Sequence, residues 1–256
     1  LGPAVERILR DRFEIRRGLW KNDGRGRQLE GLVEQVESGW GDCTGQWEID
    51  DDGLSIQFDP WKGQKTGLFL DMWENRRRMA PLLGQGRVVD LFSYVGQWGL
   101  HIAQAGAQEV TCIDRSAAAI DLVERNAARN DLPVTGKAEK VDAFLRKVPD
   151  ASLDGIVCDP PAFIPNKKKV AGGVKAYRTL FAHALRKVRP GGRAVLASCS
   201  HHLWDDRFEQ VVSEAARWAK VDLRVMIRGD QSPCHPVPLG VKEARYLKCW
   251  LVEVQR

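Results

Sequence analysis

The sequence predicts an α/β fold, a seven-stranded and mostly parallel sheet covered by helices and preceded by a small β-rich domain. Three observations carry that expectation. Beyond residue 62, strand-length apolar runs alternate with longer segments of helical periodicity, the rhythm of βαβ units. Before it, short strand-like runs are broken by glycines and acidic turns. Acidic residues also recur where successive runs end, and parallel sheets bind their ligands at strand carboxyl ends.

Taken in order, residues 4–12 read as a short amphipathic helix, followed by strands near 31–36, 45–49 and 54–58. Asp50-Asp51-Asp52-Gly53 reads as a hairpin turn between the last two. Trp20, Trp40, Trp47 and Trp61 crowd this stretch and are expected to build its core rather than to stack on bases. A helix over 71–82 carries Arg76-Arg77-Arg78, expected either to grip cofactor or to pack on the sheet. The larger domain then reads as strands 87–92, 109–114, 138–142, 153–159, 193–200, 222–228 and 246–254, with helices over 97–105, 116–129, 174–187 and 204–218. The boundary falls at 62, giving a hairpin domain of residues 1–62 and a larger domain of residues 63–256.

Composition narrows the class. Of 256 residues, 43% are hydrophobic and 29% charged, which is globular rather than disordered. No apolar run reaches membrane-span length and no secretory pattern opens the sequence, so a cytoplasmic setting is expected. Cys43, Cys112, Cys158, Cys199, Cys234 and Cys249 show no paired spacing, so neither a metal site nor a disulfide framework is expected. Charge is uneven. Residues 1–62 hold 9 basic and 13 acidic residues, a balance of −4, whereas residues 63–256 hold 30 and 21, a balance of +9. A basic larger domain points to a polyanionic partner.

The first strand of that domain runs into Asp90-Leu91-Phe92-Ser93-Tyr94-Val95-Gly96. An acid followed by a glycine turn lets the backbone approach an amino-acid moiety and puts Asp90 near a cationic end. That suits S-adenosylmethionine, with Phe92, Tyr94 and Gly96 in the same turn. A dinucleotide enzyme would need G-x-G-x-x-G for a pyrophosphate, and only Gly96 and Gly99 are present. Asp114, at the end of the second strand, is placed to accept ribose hydroxyls. Asp142, read as the end of the third, is placed near an adenine amino group. These features describe a Rossmann-like class I methyltransferase.

The fourth strand ends Asp159-Pro160-Pro161-Ala162-Phe163, a rigid extended turn that aims Asp159 and its carbonyls at the transferred methyl. The fifth ends Ser198-Cys199-Ser200-His201-His202. A cytosine C5 is a weak nucleophile until a thiolate adds at C6, so Cys199 is the candidate nucleophile and Asp159 its partner at the N3/N4 edge. His201, His202 or a nearby lysine would lower the thiol pKa. Asp159, His201 and His235 all remain candidates for removing the C5 proton. Cys158 alternates to the opposite side and reads as core. Lys167-Lys168-Lys169 follows the Asp159 turn, and residues 163–178 hold five basic residues and no acidic one, a phosphate-contacting pattern.

The runs Gly63-Gln64-Lys65-Thr66-Gly67-Leu68-Phe69-Leu70-Asp71, Asp90 to Gly96, Asp159 to Phe163 and Ser198-Cys199-Ser200, with His235-Pro236 and Tyr246-Leu247-Lys248, resemble the rRNA large subunit methyltransferase I family. The resemblance spans 63–256 and, more loosely, the β-rich stretch before it. It implies 5-methylcytosine formation in 23S rRNA, with Lys65, Thr66, Gly67 and Asp71 against the cofactor and Cys199 as nucleophile. Relatives that methylate guanine lack this cysteine. The family's N-terminal RNA-binding module has no counterpart in this sequence. A guanine-N methyltransferase and a non-catalytic RNA-binding or assembly factor are the alternative readings. Homodimerisation is compatible with the sequence and not specified by it.

Overall fold

The structure, a computed structural model, describes residues 2–24, 26–83 and 86–255. The chain forms two compact units, Leu1–Glu48 with Gln57–Phe69, and Ile49–Ile56 with Leu70–Arg256.

The first unit opens with α1 (Gly2–Phe13), which buries none of its residues. Strand β1 (Gly18–Asn22) pairs antiparallel with β2 (Gln35–Trp40), and α2 (Gly26–Leu29) lies between them in the chain. The sequence reading missed β1 and placed β2 several residues early. Trp20 meets Trp40 edge-on at 6.3 Å, Trp47 meets Phe58 at 6.4 Å, and Trp61 Nε1 donates to the Cys43 carbonyl at 2.7 Å. The tryptophans therefore pack with their own unit. Lys21 Nζ donates to the carbonyls of Pro60, Trp61 and Gly63 at 3.0, 2.9 and 2.7 Å, fastening the turn that leads into the Gln64-Lys65-Thr66-Gly67 run.

A hairpin of β3 (Trp47–Asp51) and β4 (Leu54–Phe58) contributes its tip to the second unit. Asp52 and Gly53 link its strands, both at positive φ (54° and 85°), as a tight two-residue turn of the right twist requires. There follow α3 (Trp73–Met79) between two 3₁₀ turns, β5 (Arg87–Leu91), α4 (Gln97–Gln104), β6 (Glu109–Asp114), α5 (Ala117–Arg129), β7 (Val134–Ala138), α6 (Val141–Lys147), β8 (Leu153–Cys158), α7 (Val170–Lys187), β9 (Val188–Ser198), α8 (Asp205–Ala219), β10 (Leu223–Gly229) and β11 (Lys248–Val254). The sheet order is β10-β11-β9-β8-β5-β6-β7, and β11 alone runs against its neighbours. This is the seven-stranded, mostly parallel sheet that the alternating pattern predicts. Chain order reverses between β5 and β8, where a parallel sheet opens a crevice at its carboxyl edge.

Two strand expectations need correction. The segment 138–142 is not a strand: β7 ends at Ala138 and Val141 already begins α6. The edge strand β7 exposes most of its residues and so lacks an apolar run, whereas Val141, Phe144 and Leu145 form the buried stripe of α6. Strand β9 begins at Val188 and stops at Ser198, leaving Cys199 one residue past its end. One sheet face packs on a core that includes Leu91, Ile156, Cys158, Tyr177, Phe181, Leu196, Phe208 and Trp250.

Packing is close enough to reject a single methyl. A Cβ on Gly155 in β8 would stand 2.6 Å from the Leu83 carbonyl oxygen, whereas one on Gly172, in the first turn of α7, meets nothing within 4 Å. Gly155→Ala is therefore expected to lose about 1–3 kcal/mol from overpacking. Gly172→Ala is expected to gain about 0.5–1 kcal/mol from helix propensity. Equilibrium urea unfolding of the two variants checks the opposite signs.

Candidate active site

Strand β5 is buried from Val88 onward, and its last residues lead into a strained turn. Phe92, Tyr94 and Gly96 take positive φ of 61°, 51° and 86°. For Phe92 and Tyr94 that backbone costs about 1–3 kcal/mol each, so the surroundings must hold it. They do, through Ser93 N donating to the Ile113 carbonyl at 3.0 Å and Tyr94 N to Asp114 Oδ2 at 3.1 Å. Gly96 carries the turn into α4, and a larger residue there would press within 3.2–3.3 Å of the Val123 methyls.

Asp90 lies beneath this turn, 1% exposed. Its Oδ2 accepts from Gly99 N at 3.0 Å, satisfying one of the open amides of the first turn of α4. Its Oδ1 has no hydrogen-bond partner among the described residues. Burial, with the charges of Asp159 and Asp114, outweighs the Gly99 bond and pushes the carboxyl up to about 8. Asp114, at the end of β6, accepts from Tyr94 N and, at 2.9 Å, from Ser116 N, which fixes it at the crevice. Asp142 lies not at a strand end but exposed in the first turn of α6.

On the other side of the crevice, Asp159 follows β8 directly and is half-buried. Its prolyl turn is pinned by two amides: Phe163 N donates to Tyr177 Oη at 3.3 Å and Ile164 N to Ser200 Oγ at 3.2 Å. Those two oxygens are themselves 2.9 Å apart. The residue after Cys199 thus anchors the turn after Asp159. Cys199 is half-buried, its Sγ 3.9 Å from the Pro160 carbonyl oxygen. Cys112, Cys158 and Cys249 are fully buried, and burial drives their thiols upward. Cys158 belongs to the core cluster, as strand alternation predicts. His201 lies against Tyr246, ring centroids 5.1 Å apart, and His235 is 6.5 Å from the same ring.

The residue that draws these parts together is one of an arginine run that the sequence reads as gripping cofactor or packing on the sheet. Arg76 in α3 is 1% exposed, whereas Arg77 and Arg78 face solvent. Burial lowers the Arg76 pKa, and the charges of Asp51, Asp159, Asp71 and Asp90 oppose that effect. Arg76 Nη2 is 3.5 Å from Asp51 Oδ2. That oxygen also accepts from Gln97 Nε2 at 2.9 Å and lies 3.3 Å from His101 Nε2. Burial pushes the Asp51 carboxyl up, but His101, Arg76 and Gln97 together bring it below the ordinary range. Asp71 is buried and accepts from Tyr246 Oη at 2.6 Å, while its carbonyl accepts from Ser232 N and Oγ. Asp51, Gln97 and His101 escaped the sequence reading; three consecutive aspartates at a hairpin read only as a polar turn.

Lys65, Thr66 and Gly67 belong to the first unit. Lys65 takes φ 50° and places its ammonium 4.8 Å from the Phe69 ring centroid. Gly67 takes φ 97°, and a Cβ there would strike the Phe58 ring at 2.4 Å. Lys167, Lys168 and Lys169 form an exposed turn ahead of α7. No group of three or more His, Cys, Asp or Glu able to hold a metal occurs among the described residues, and no described helix is long and apolar enough to cross a membrane.

Comparison with known proteins agrees with this geometry. A family model described as Methyltransferase small domain matches residues 66–223. Ribosomal RNA large subunit methyltransferase I of Shewanella frigidimarina is 33% identical over 234 residues, 89% of this chain and 59% of that protein. Ribosomal RNA large subunit methyltransferase of Deinococcus radiodurans is 36% identical over 207 residues, 79% of this chain and 50% of that protein. The chain therefore spans between half and three-fifths of these relatives, and the resemblance read from its motifs is borne out. Among solved structures, SMU.776, a methyltransferase candidate complexed with SAH, superposes with a TM-score of 0.74 at 20% identity over 86% of this chain and 59% of that one. TYW2 of P. horikoshii in complex with MeSAdo gives 0.66 at 15% identity over 100% and 99%. At such identities the likeness is one of fold.

The buried acid supplies a direct test of these electrostatics. Between about pH 4 and 8 the folded chain keeps a proton on Asp90 that the unfolded chain releases, so stability falls as pH rises through that window. Asp90→Asn keeps an acceptor for Gly99 N and removes the ionisation. Its melting temperature is expected to gain on the wild type from pH 4 to 8 and to hold a constant lead above 8. Thermal scans of both proteins across that range check it.

Proposed function

Because the chain belongs to the methyltransferase small domain family, we propose that it is the catalytic part of an RNA methyltransferase acting on C5 of a cytosine in large-subunit (23S) rRNA. The observation that carries this reading is the half-buried Cys199, its Sγ beside the Asp159 turn, while Cys112, Cys158 and Cys249 are fully buried. S-adenosylmethionine is the cofactor, and when bound it supplies an electrophilic methyl. The residues present fit it. Asp90 offers a buried oxygen without a partner to a cationic group, and Asp114 keeps lone pairs beyond its two backbone bonds for ribose hydroxyls. Phe92, Tyr94 and Gly96 shape the turn, and Asp142 supplies an acceptor for an amino group. Lys65, Thr66, Gly67 and Asp71 join the cofactor set through the family resemblance. The domain reading that accompanies this is a hairpin domain over 1–62 and a catalytic domain over 63–256.

The proposed chemistry needs few groups. The Cys199 thiolate adds to C6 and makes C5 an enamine carbon able to accept the methyl. Asp159, fixed by its prolyl turn, holds the N3/N4 edge as charge shifts there. A base then takes the C5 proton, the C5–C6 double bond returns, and the thiolate leaves. Asp159, His201 and His235 remain the candidates for that base. The Lys167–Lys169 turn supplies cations for RNA phosphates.

Cys199→Ala is expected to bind S-adenosylmethionine as the wild type does, to lower methyl transfer at least ~10³-fold, and to lose the denaturant-stable adduct with 5-fluorocytosine RNA. Calorimetry, tritium transfer and gel shift read the three outcomes. Full activity without an adduct would discard the covalent route in favour of guanine-N methylation. Failure to bind S-adenosylmethionine at millimolar concentration in the wild type would favour a scaffold role.

A further inference from the structure

Lys248 is the one lysine in the buried set of the described residues, 3% exposed at the start of β11. Its backbone pairs with Ser198, the residue before Cys199. The ammonium donates to the Ser200 carbonyl at 2.9 Å and to the Tyr246 carbonyl at 2.7 Å, so it bridges the turn carrying Cys199 and the loop carrying Tyr246. An ammonium has three N–H donors, and among the described residues the third has no partner. A tether would need only the two carbonyl bonds, and burying a full charge for that purpose costs more than a neutral amide would.

We propose that Lys248 is a positioning residue for the methylation site: it is the fixed cation that holds Cys199 as a thiolate, the thiol proton passing to solvent. The inference rests on the reading of Cys199 as nucleophile and supplies what that reading lacks, a source of thiolate character at neutral pH. The electrostatics are consistent with it. Burial lowers the Lys248 pKa to about 8, while Asp205 and Cys199 raise it and Arg245 lowers it further. Tyr177 and Tyr246 also face Cys199, both neutral because burial raises their phenols. Asp205 is shared with Arg245 at 3.1 Å. Lys248 is therefore a buried cation bonded to the segment that follows Cys199, placed to stabilise a sulfur anion there.

The test is residue-resolved alkylation of the intact chain with iodoacetamide against pH, read by peptide mass, with exposed Cys234 as internal reference. Cys199 is expected to titrate below the ~8.5 of a free thiol. Lys248→Gln keeps amide donors for the two carbonyls but not the charge. It is expected to raise the Cys199 midpoint by about one unit, slowing alkylation ~10-fold at pH 7, and to leave Cys234 unchanged. Lys248→Arg is expected to restore most of the lost reactivity. A Gln variant with the wild-type Cys199 profile would reduce Lys248 to a tether and overturn the proposal. So would a wild-type Cys199 midpoint at or above the ~8.5 of a free thiol, which requires no variant to fold. Because alkylation does not depend on methyl transfer, this result stands apart from the Cys199→Ala assay: either can fail alone.

Discussion

A guanidinium sealed from water at Arg76 is the constraint to which the rest of the second unit answers. Taking such a charge out of solvent costs several kcal/mol and is tolerated only where opposite charge surrounds it. Here the compensation comes from separate pieces of chain: Asp51 on the hairpin tip, Asp71 ahead of α3, Asp90 at the end of β5 and Asp159 at the end of β8. Asp51 owes its ionised state in part to the arginine, whereas Asp90 keeps its proton. The hairpin tip is thereby tied to α3 and α4 through Asp51, Gln97 and His101.

Within that cluster, environment separates carboxyls of identical chemistry. Asp51 collects a hydrogen bond from Gln97 and the proximity of His101 and Arg76, and is held ionised. Asp90 is equally buried but receives one backbone amide, and it retains its proton into the neutral range. The strain at Phe92 and Tyr94 is likewise a matter of surroundings, held by the amide bonds of Ser93 and Tyr94.

The Asp159 side of the crevice relies on a different device, a rigid turn bolted to its neighbour. Tyr177 and Ser200 take the amides of Phe163 and Ile164, so the Asp159 turn cannot shift without moving the Cys199 turn. Lys248 closes the arrangement from below. Cys199 is half-buried, whereas Cys112, Cys158 and Cys249 are fully buried.

The sequence by itself determined the layered α/β plan, because hydrophobic period is a local property: β4 and β6 fall where alternation and apolar runs put them, and the positions of Asp90, Asp114, Asp159 and Cys199 follow from strand ends. It misjudged segments whose burial does not follow an apolar run, such as the exposed edge strand β7 and the short β1 with a single buried glycine. Nothing local distinguishes Arg76 from Arg77 and Arg78, or Asp51 from its two acidic neighbours. Nor does any local pattern mark Lys248 as buried. Only the tertiary structure decided those, because the field at a charged group is set by residues far away in the chain that converge on it, and a run of like side chains carries no record of which one will be enclosed.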